Sequence, residues 1–270
     1  MDLNNQKGKI SLILLFRVFL RSFFIQAVWN FECLLGFGLA YAMLPVIRRL
    51  YPNKEERKLI TREYLSFFNT HPYLAAPIIG VLISEEEKNA ALKGGDRTKI
   101  QNLKIQIMGP LGALGDTFCW ATLRPFAALL GVSFVFLFWD KSKFTALTGG
   151  LLSFFCFYNF FHIVIRFVGI LQGYDLGIQI VGMLKKINLQ KFIRILSSIG
   201  VIIIGIGLAI FCFSCSLFNL AGLLNFEALF NFFAGLTIFA VVSLFLLRLT
   251  PAKIILILIL FGQLLTFYSG

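Results

Sequence analysis

"GPLGALGDTFCWATLRP", running from Gly109 to Pro125, decides how this chain is built. It sets Gly109, Gly112 and Gly115 at a three-residue step, followed by Asp116 and Arg124, in otherwise apolar surroundings. A phosphate-cradling loop would need G-x-x-x-x-G-K-[ST] between a strand and a helix. No lysine follows Gly115 and no strand pattern precedes Gly109, so nucleotide binding is not expected. Two readings are left: close helix packing by the glycines, or a polar break inside a membrane. Packing alone leaves Asp116 and Arg124 unexplained, because a charge at bilayer depth costs about 2.5–3.5 kcal/mol on insertion scales. The expectation is a broken, protein-buried hairpin in which Asp116 and Arg124 face polar partners or one another.

Composition supports the membrane. The 270 residues are 58% apolar, include 32 Phe and only 14% charged residues, and have a mean hydropathy of +0.84. A soluble domain has roughly 45–50% apolar and about 25% charged residues. A span needs about 20 apolar residues, fewer where the bilayer thins. Five are read: 118–139, 144–171, 199–224, 229–247 and a short 254–268.

Lys and Arg accumulate on the cytoplasmic side of membrane proteins. Lys185, Lys186, Lys191 and Arg194 follow the second span, and Arg248 and Lys253 follow the fourth. Residues 219–228, with Glu227 and no Lys or Arg, and the C-terminus then fall outside, and the basic first hundred residues inside. Lys141 and Lys143, forced outside, fit this scheme least well. The N-terminal apolar run Ile10 to Phe16 is cut by Arg17 and Arg21 and lacks a small-residue cleavage site, so a secretory signal is not expected.

The first half, 1–108, reads as amphipathic and re-entrant, and 109–270 as the broken hairpin and spans. Residues 23–47 are apolar except for Gln26, Asn30 and Glu32, and are interrupted by Gly36, Gly38 and Pro45. "PNKEERKLITREYLSFF" reads as an interfacial helix capped by Asn53, with Glu56 closing a capping box. Ile60, Tyr64 and Phe67 or Phe68 share its apolar face, and it is expected to stop at "NTHP" because Pro72 disfavours helix at His71. The piece 73–83 is too short to span, and "SEEEKNAALKGGDRTK" reads as a solvated turn pivoting on Gly94 and Gly95. Such broken pieces are tolerated at membrane depth only when buried in protein or lining a cavity.

Asn159, His162, Arg166, Gly169, Gly173 and Gly177 fall within an arc of roughly 80° on one helix of 100° per residue. This polar, glycine-lined face is a helix–helix seam or a solute-contacting wall, unless a bend near "GYDLG" breaks the alignment. The five cysteines at 33, 119, 156, 212 and 215 lie in apolar surroundings; Cys212 and Cys215 form a C-x-x-C without a second pair, and no metal site or cofactor is expected.

Four stretches resemble the IID subunit of the mannose-family (mannose/fructose/sorbose) phosphoenolpyruvate-dependent sugar phosphotransferase system. They are "RSFFIQAVWNFE" (21–32), "FFNTHPYLAAPIIG" (67–80), "MGPLGALGDTFCWATLRP" (108–125) and "YNFFHIVIRFVGILQGYDLG" (158–177), in family order. After "WNFE" the family pattern continues Arg-Met-Gln, whereas this chain has Cys33, Leu34 and Leu35.

The resemblance implies a single all-α membrane domain in the bacterial cytoplasmic membrane. It implies pairing with a IIC subunit, in trimers of IIC–IID pairs, to import a hexose or amino sugar. Soluble IIA and IIB proteins would carry the phosphoryl group, so the isolated subunit would not be an enzyme; nucleic acid is not an expected partner. The alternatives are a stand-alone secondary transporter, which would show paired broken helices in an internal repeat, and an intramembrane transferase acting on lipid-linked substrates, which would show a clustered carboxylate or metal motif. Sugars are bound by side chains that donate and accept hydrogen bonds, with apolar surface against their C–H faces. Asn69 and His71, with Gln26, Asn30 and Glu32, are the expected sugar-path residues. Gln26 and Asn30 would share a helix face at i and i+4, and Glu32 would pair with a basic side chain.

Overall fold

Ser11 opens the first helix, its hydroxyl accepting from the Leu14 amide at 3.3 Å. In the computed structural model, which describes residues 10–92, 95–186 and 189–217, this helix, α1, runs Leu12–Ser22. Leu15, Val18, Phe19 and Ser22 face inward, while Leu12, Ile13, Phe16 and Leu20 lie exposed. The chain then leaves helical geometry until α2, Gly36–Leu50. The Gln26–Asn30 helix face is therefore not formed. Instead the Asn30 side-chain oxygen accepts from the amides of Glu32 and Cys33 at 3.0 and 2.9 Å, an Asx-type turn. Leu34 sits at φ 52°, a left-handed conformation uncommon for a branched residue. From there the Leu35 amide donates to the Phe68 carbonyl at 3.0 Å, and the Phe68 amide donates to the Cys33 carbonyl at 3.2 Å.

Asn53 caps α3, Lys54–Tyr64, accepting from the Glu55 and Glu56 amides at 2.8 and 3.4 Å. The Glu56 side chain makes no return bond to close a capping box. Ile60, Tyr64 and Phe68 are buried and Phe67 is exposed. The helix ends at Tyr64, well before Pro72: the Leu65 amide turns back onto the Arg62 carbonyl and the Ser66 hydroxyl donates to that of Glu63. An irregular stretch, 65–74, leads into α4, Ala75–Ala91.

Helix α4 is buried on nearly every side from Ala75 to Ser84, which makes it the core helix. It also overturns the solvated-turn expectation, since Glu86 and Glu87 belong to it and are buried. Helices α2, α3 and α5 converge on the Glu86 carboxylate. Tyr51 and Tyr64 hydroxyls donate to it at 2.6 Å each, and Arg97 donates at 3.1 and 3.0 Å. Arg97 also pairs with Glu63 at 2.7 Å. Burial, then the facing Glu86 charge, raises the pKa of both phenols above the usual 10, keeping them as donors. Glu87 accepts from the Tyr174 hydroxyl at 2.5 Å.

Asp96 caps α5, Arg97–Gly115, accepting from the Thr98 amide at 2.9 Å. The expected hairpin does not form. The helix continues past Pro110 through a π-helical segment, Asp116–Leu123, into α6, Arg124–Phe138. Then come α7 (Lys143–Leu176), α8 (Gln179–Lys186) and α9 (Leu189–Leu217). Among the described residues three stretches are long and apolar enough to cross a membrane: Arg97–Phe138, Lys143–Leu176 and Gln190–Gly207. The first begins well before the expected residue 118; the second matches the expected 144–171. The expected spans 229–247 and 254–268, with Glu227, Arg248 and Lys253, lie outside the described residues, as do the side chains of Lys185, Lys186, Cys212 and Cys215 and residue Gly94.

The described residues divide into two compact units, 10–124 with 155–189, and 125–154 with 190–217. In the first, α4 and α7 touch through glycines: a Cβ on Gly80 would overlap the Ile170 carbonyl, and one on Gly173 the Pro77 carbonyl. In the second, α6 approaches the start of α7 closely enough that a Cβ on Gly131 would lie 2.8 Å from the Gly150 carbonyl oxygen. Small residues at such crossings let membrane helices approach without a hydrophobic driving force between them.

Candidate functional site

The first unit holds a polar cluster between otherwise apolar elements. It is built by the 65–74 stretch, the π segment, the end of α1 and the middle of α7. Arg166 is its centre and is 3% exposed. Its Nε donates to His162 Nε2 at 2.7 Å, and a terminal nitrogen donates to the Ser22 carbonyl and to the Ser22 hydroxyl, the latter at 3.3 Å. That carbonyl belongs to the C-terminal end of α1, where the helix dipole favours a cation. The guanidinium also lies over the Phe23 and Tyr73 rings, 5.2 and 5.3 Å from their centroids. No carboxylate neutralises Arg166 among the described residues.

Hydrogen bonding assigns the histidine tautomers. Because Arg166 donates to Nε2 of His162, that nitrogen is the acceptor and the proton belongs on Nδ1, which faces the Asn159 side-chain oxygen at 3.5 Å. Nδ1 of His71 accepts from the Tyr73 amide at 3.2 Å, so its proton belongs on Nε2. That Nε2 is buried without a partner, and so is the neighbouring Thr70 hydroxyl. Burial, followed by the Arg166 charge and then His162, lowers the His71 pKa from 6.5 to about 4, so the ring is neutral at ordinary pH.

Aromatic rings frame these groups. Tyr73 stacks on His162 at 4.0 Å, and its hydroxyl donates to that of Tyr158 at 3.0 Å. His71 meets Tyr73 and Trp120 edge-on, at 4.9 Å each. Trp120 is about half exposed, on the π segment. Such segments recur at functional sites, where the irregular ladder re-aims side chains. The arrangement offers neutral donors and acceptors, one fixed cation and aromatic faces, a set suited to an oxygen-rich polar ligand rather than to nucleophilic chemistry.

The structure thus joins His71 to His162, Arg166 and Asn159. Gly169 and Gly173, on the same face of α7, pack instead on Pro77 and Gly80 of α4, and Gly177, at φ 53°, ends the helix. Gly115 admits His71: a Cβ there would overlap the imidazole. Gly112 lies 3.4 Å from Thr70 by the same measure, and Gly109 meets nothing within 4 Å, so only part of the glycine series packs. Asp116 and Arg124 are exposed, not buried as expected. The inward face of the π segment is taken by Phe118, Cys119, Thr122 and Leu123, which turns both charges outward. Asn69, Gln26 and Glu32 are exposed and outside the cluster, and Glu32 makes no ion pair among the described residues. Asn30 is occupied by its own turn. Sequence reasoning missed Tyr73, Tyr158 and Trp120, although each lies within two residues of His71 or Asn159 or inside the glycine-rich stretch.

The fold and this cluster define a polytopic helical membrane protein with a polar site inside its apolar helices. The chain belongs to the family described as PTS system mannose/fructose/sorbose family IID component, which matches residues 9–269. It is 40% identical over 192 residues to the PTS system mannose-specific EIID component of Escherichia coli K12, covering 70% of this chain and 64% of that relative. It is 36% identical over 194 residues to the fructose permease IID component of Bacillus subtilis, covering 71% and 66%. The chain thus spans just under two thirds of the length of these curated relatives. Its fold is similar to a chain in the cryo-EM structure of the mannose transporter ManYZ with microcin E492, with a TM-score of 0.57 and 38% identity over 74% of this chain and 70% of that one.

Proposed function

We propose that this chain is the IID subunit of a sugar-translocating phosphotransferase permease in the bacterial cytoplasmic membrane. It pairs with a IIC subunit, in trimers of such pairs, to import a hexose or amino sugar that a IIB protein phosphorylates with phosphate delivered through IIA. The chain itself carries no phosphoryl group. Its basic N-terminal half faces the cytoplasm, as the distribution of Lys and Arg favours. The observation that carries the reading is the aromatic-framed set of neutral hydrogen-bonding groups around the Arg166 cation, with an unpartnered His71 Nε2–H. Sugar hydroxyls match such donors and acceptors, and the C–H faces of a pyranose match Trp120 and Tyr73. The exposed Asp116 and Arg124, within an apolar stretch that can cross a membrane, favour a polar surface of IIC against the π segment.

The test is reconstitution. The chain is co-expressed with the IIC, IIA and IIB proteins encoded beside it, in cells lacking other mannose-family permeases, and uptake of single labelled sugars is measured. Phosphoenolpyruvate-dependent uptake that vanishes when this chain is omitted is expected. Transport by the chain alone in proteoliposomes, without phosphocarriers, would instead support a secondary transporter.

A further inference from the structure

A second feature, separate from the Arg166 cluster, lies where α3 packs on the C-terminal part of α2. An open groove of about 600 Å³ runs between them. Its floor is apolar, from Leu44 and Ile47, and its rim carries Arg48, Lys54, Arg57, Lys58 and Arg62 against a single carboxylate, Glu55. None of the five cations is in an ion pair among the described residues. Nε of Arg57 is buried and without a hydrogen-bond partner. A solvated basic face needs neither a buried donor nor an apolar floor.

The groove continues into an apolar track. Phe37, Tyr41, Leu44 and Arg48 recur at helical spacing and share one face of α2. Phe37 and Tyr41 are 43% and 42% exposed, although Arg21 lies over the Tyr41 ring at 4.6 Å. From Phe37 to Arg48 the track is about 16 Å long at 1.5 Å per residue. One leaflet of a bilayer has a hydrocarbon depth of about 15 Å.

We propose that this groove is a binding site for an anionic phospholipid, its phosphate held by Arg57, Lys58 and their neighbours and an acyl chain lying along Leu44, Tyr41 and Phe37. Headgroup oxygens satisfy Arg57 Nε and relieve the repulsion among five like charges. A phosphorylated soluble protein would match the cations but not the apolar track, which favours the lipid. Each Lys or Arg near an anionic membrane surface adds about fivefold to binding.

The test uses the full chain, purified with whatever membrane partner it retains, in nanodiscs of phosphatidylcholine with or without phosphatidylglycerol. Native mass spectrometry counts retained lipid. The wild type is expected to hold phosphatidylglycerol, and Arg57→Gln with Lys58→Gln to hold ~25-fold less. Lys54→Gln with Arg62→Gln, both exposed positions, gives the same direction should the first pair fail to fold. Lys99→Gln, on exposed α5 surface, should match the wild type. Equal retention by the folded groove variants overturns the proposal. So does complete displacement by millimolar inorganic phosphate, which would mark a free-phosphate site. Loss of a co-purifying phosphorylated protein with lipid retention unchanged would assign the groove to that protein instead.

Discussion

Tyr73 lies nearly flat against His162, with ring centroids 4.0 Å apart and planes 16° from parallel. The stack ties the irregular stretch after α3 to the middle of α7. Arg166 sits one helical turn beyond His162 and bonds both to it and to the end of α1. Three elements far apart in sequence therefore depend on one guanidinium.

Arg166→Lys should retain charge but lose the fork that reaches His162 and Ser22 together. An ammonium at the end of a flexible stem satisfies one acceptor at a time. A hydrogen bond from a charged donor is worth about 1.5–3 kcal/mol, so the variant should lose thermal stability in detergent by about that much. Uptake should fall further in Arg166→Gln. A Lys variant equal to wild type in both unfolding temperature and uptake would remove Arg166 from its central place.

Glu86 offers a stability test away from the cluster. Removing one partner of a buried ion pair costs about 3–5 kcal/mol, whereas replacing both by apolar residues is often nearly neutral. Glu86→Leu should therefore be strongly destabilising, since it takes the acceptor from two buried tyrosine hydroxyls and leaves Arg97 with Glu63 as its remaining carboxylate. Glu86→Leu with Arg97→Met should recover part of the loss. The partial exposure of Arg97, 24% of its side chain, keeps its share at the low end. Thermal unfolding of the three proteins, as purified, decides the order.

The His71 shift predicts a pH dependence with a definite sign. Its folded pKa is about 4 and its unfolded value 6.5, so the unfolded chain takes up the proton first as pH falls. The contribution is fully present above pH 6.5 and is lost progressively toward pH 4. The wild type should lose more unfolding temperature between pH 7.5 and pH 5 than His71→Gln does. Parallel losses in the two proteins would show that His71 is not held neutral by its surroundings.

Local chemistry was legible in the sequence and long-range chemistry was not. Asn53 could be read as a cap because the amides it accepts from lie two and three residues away. The buried face of Ile60 and Tyr64 followed from helical spacing, whereas the choice of Phe68 over Phe67 is made beyond the end of the helix. Glu86 was misread because "SEEEK" has the composition of a solvated turn, while its partners Tyr51 and Tyr64 stand 35 and 22 residues away. The glycine-rich stretch was misread in shape for a related reason. Gly115 marks a close approach, but the approaching group is His71 from another element rather than a returning strand of the same hairpin. His162 and Arg166 were placed on one face by periodicity alone; that Tyr73 would stack there required the fold.

Trp120 gives the most direct measurement on the central claim that the cluster around Arg166 contacts sugar. Replacing the half-exposed Trp29 and Trp139 by phenylalanine leaves Trp120 as the chain's single tryptophan. In the complex with its membrane partner, with the partner's tryptophans likewise replaced, emission is recorded against increasing concentrations of the transported sugar and of a sugar that is not taken up. The account predicts a saturable change with the transported sugar alone, at a midpoint near the uptake KM, and its loss in Arg166→Gln. Unchanged emission at saturating sugar, in a complex that still transports, would contradict it.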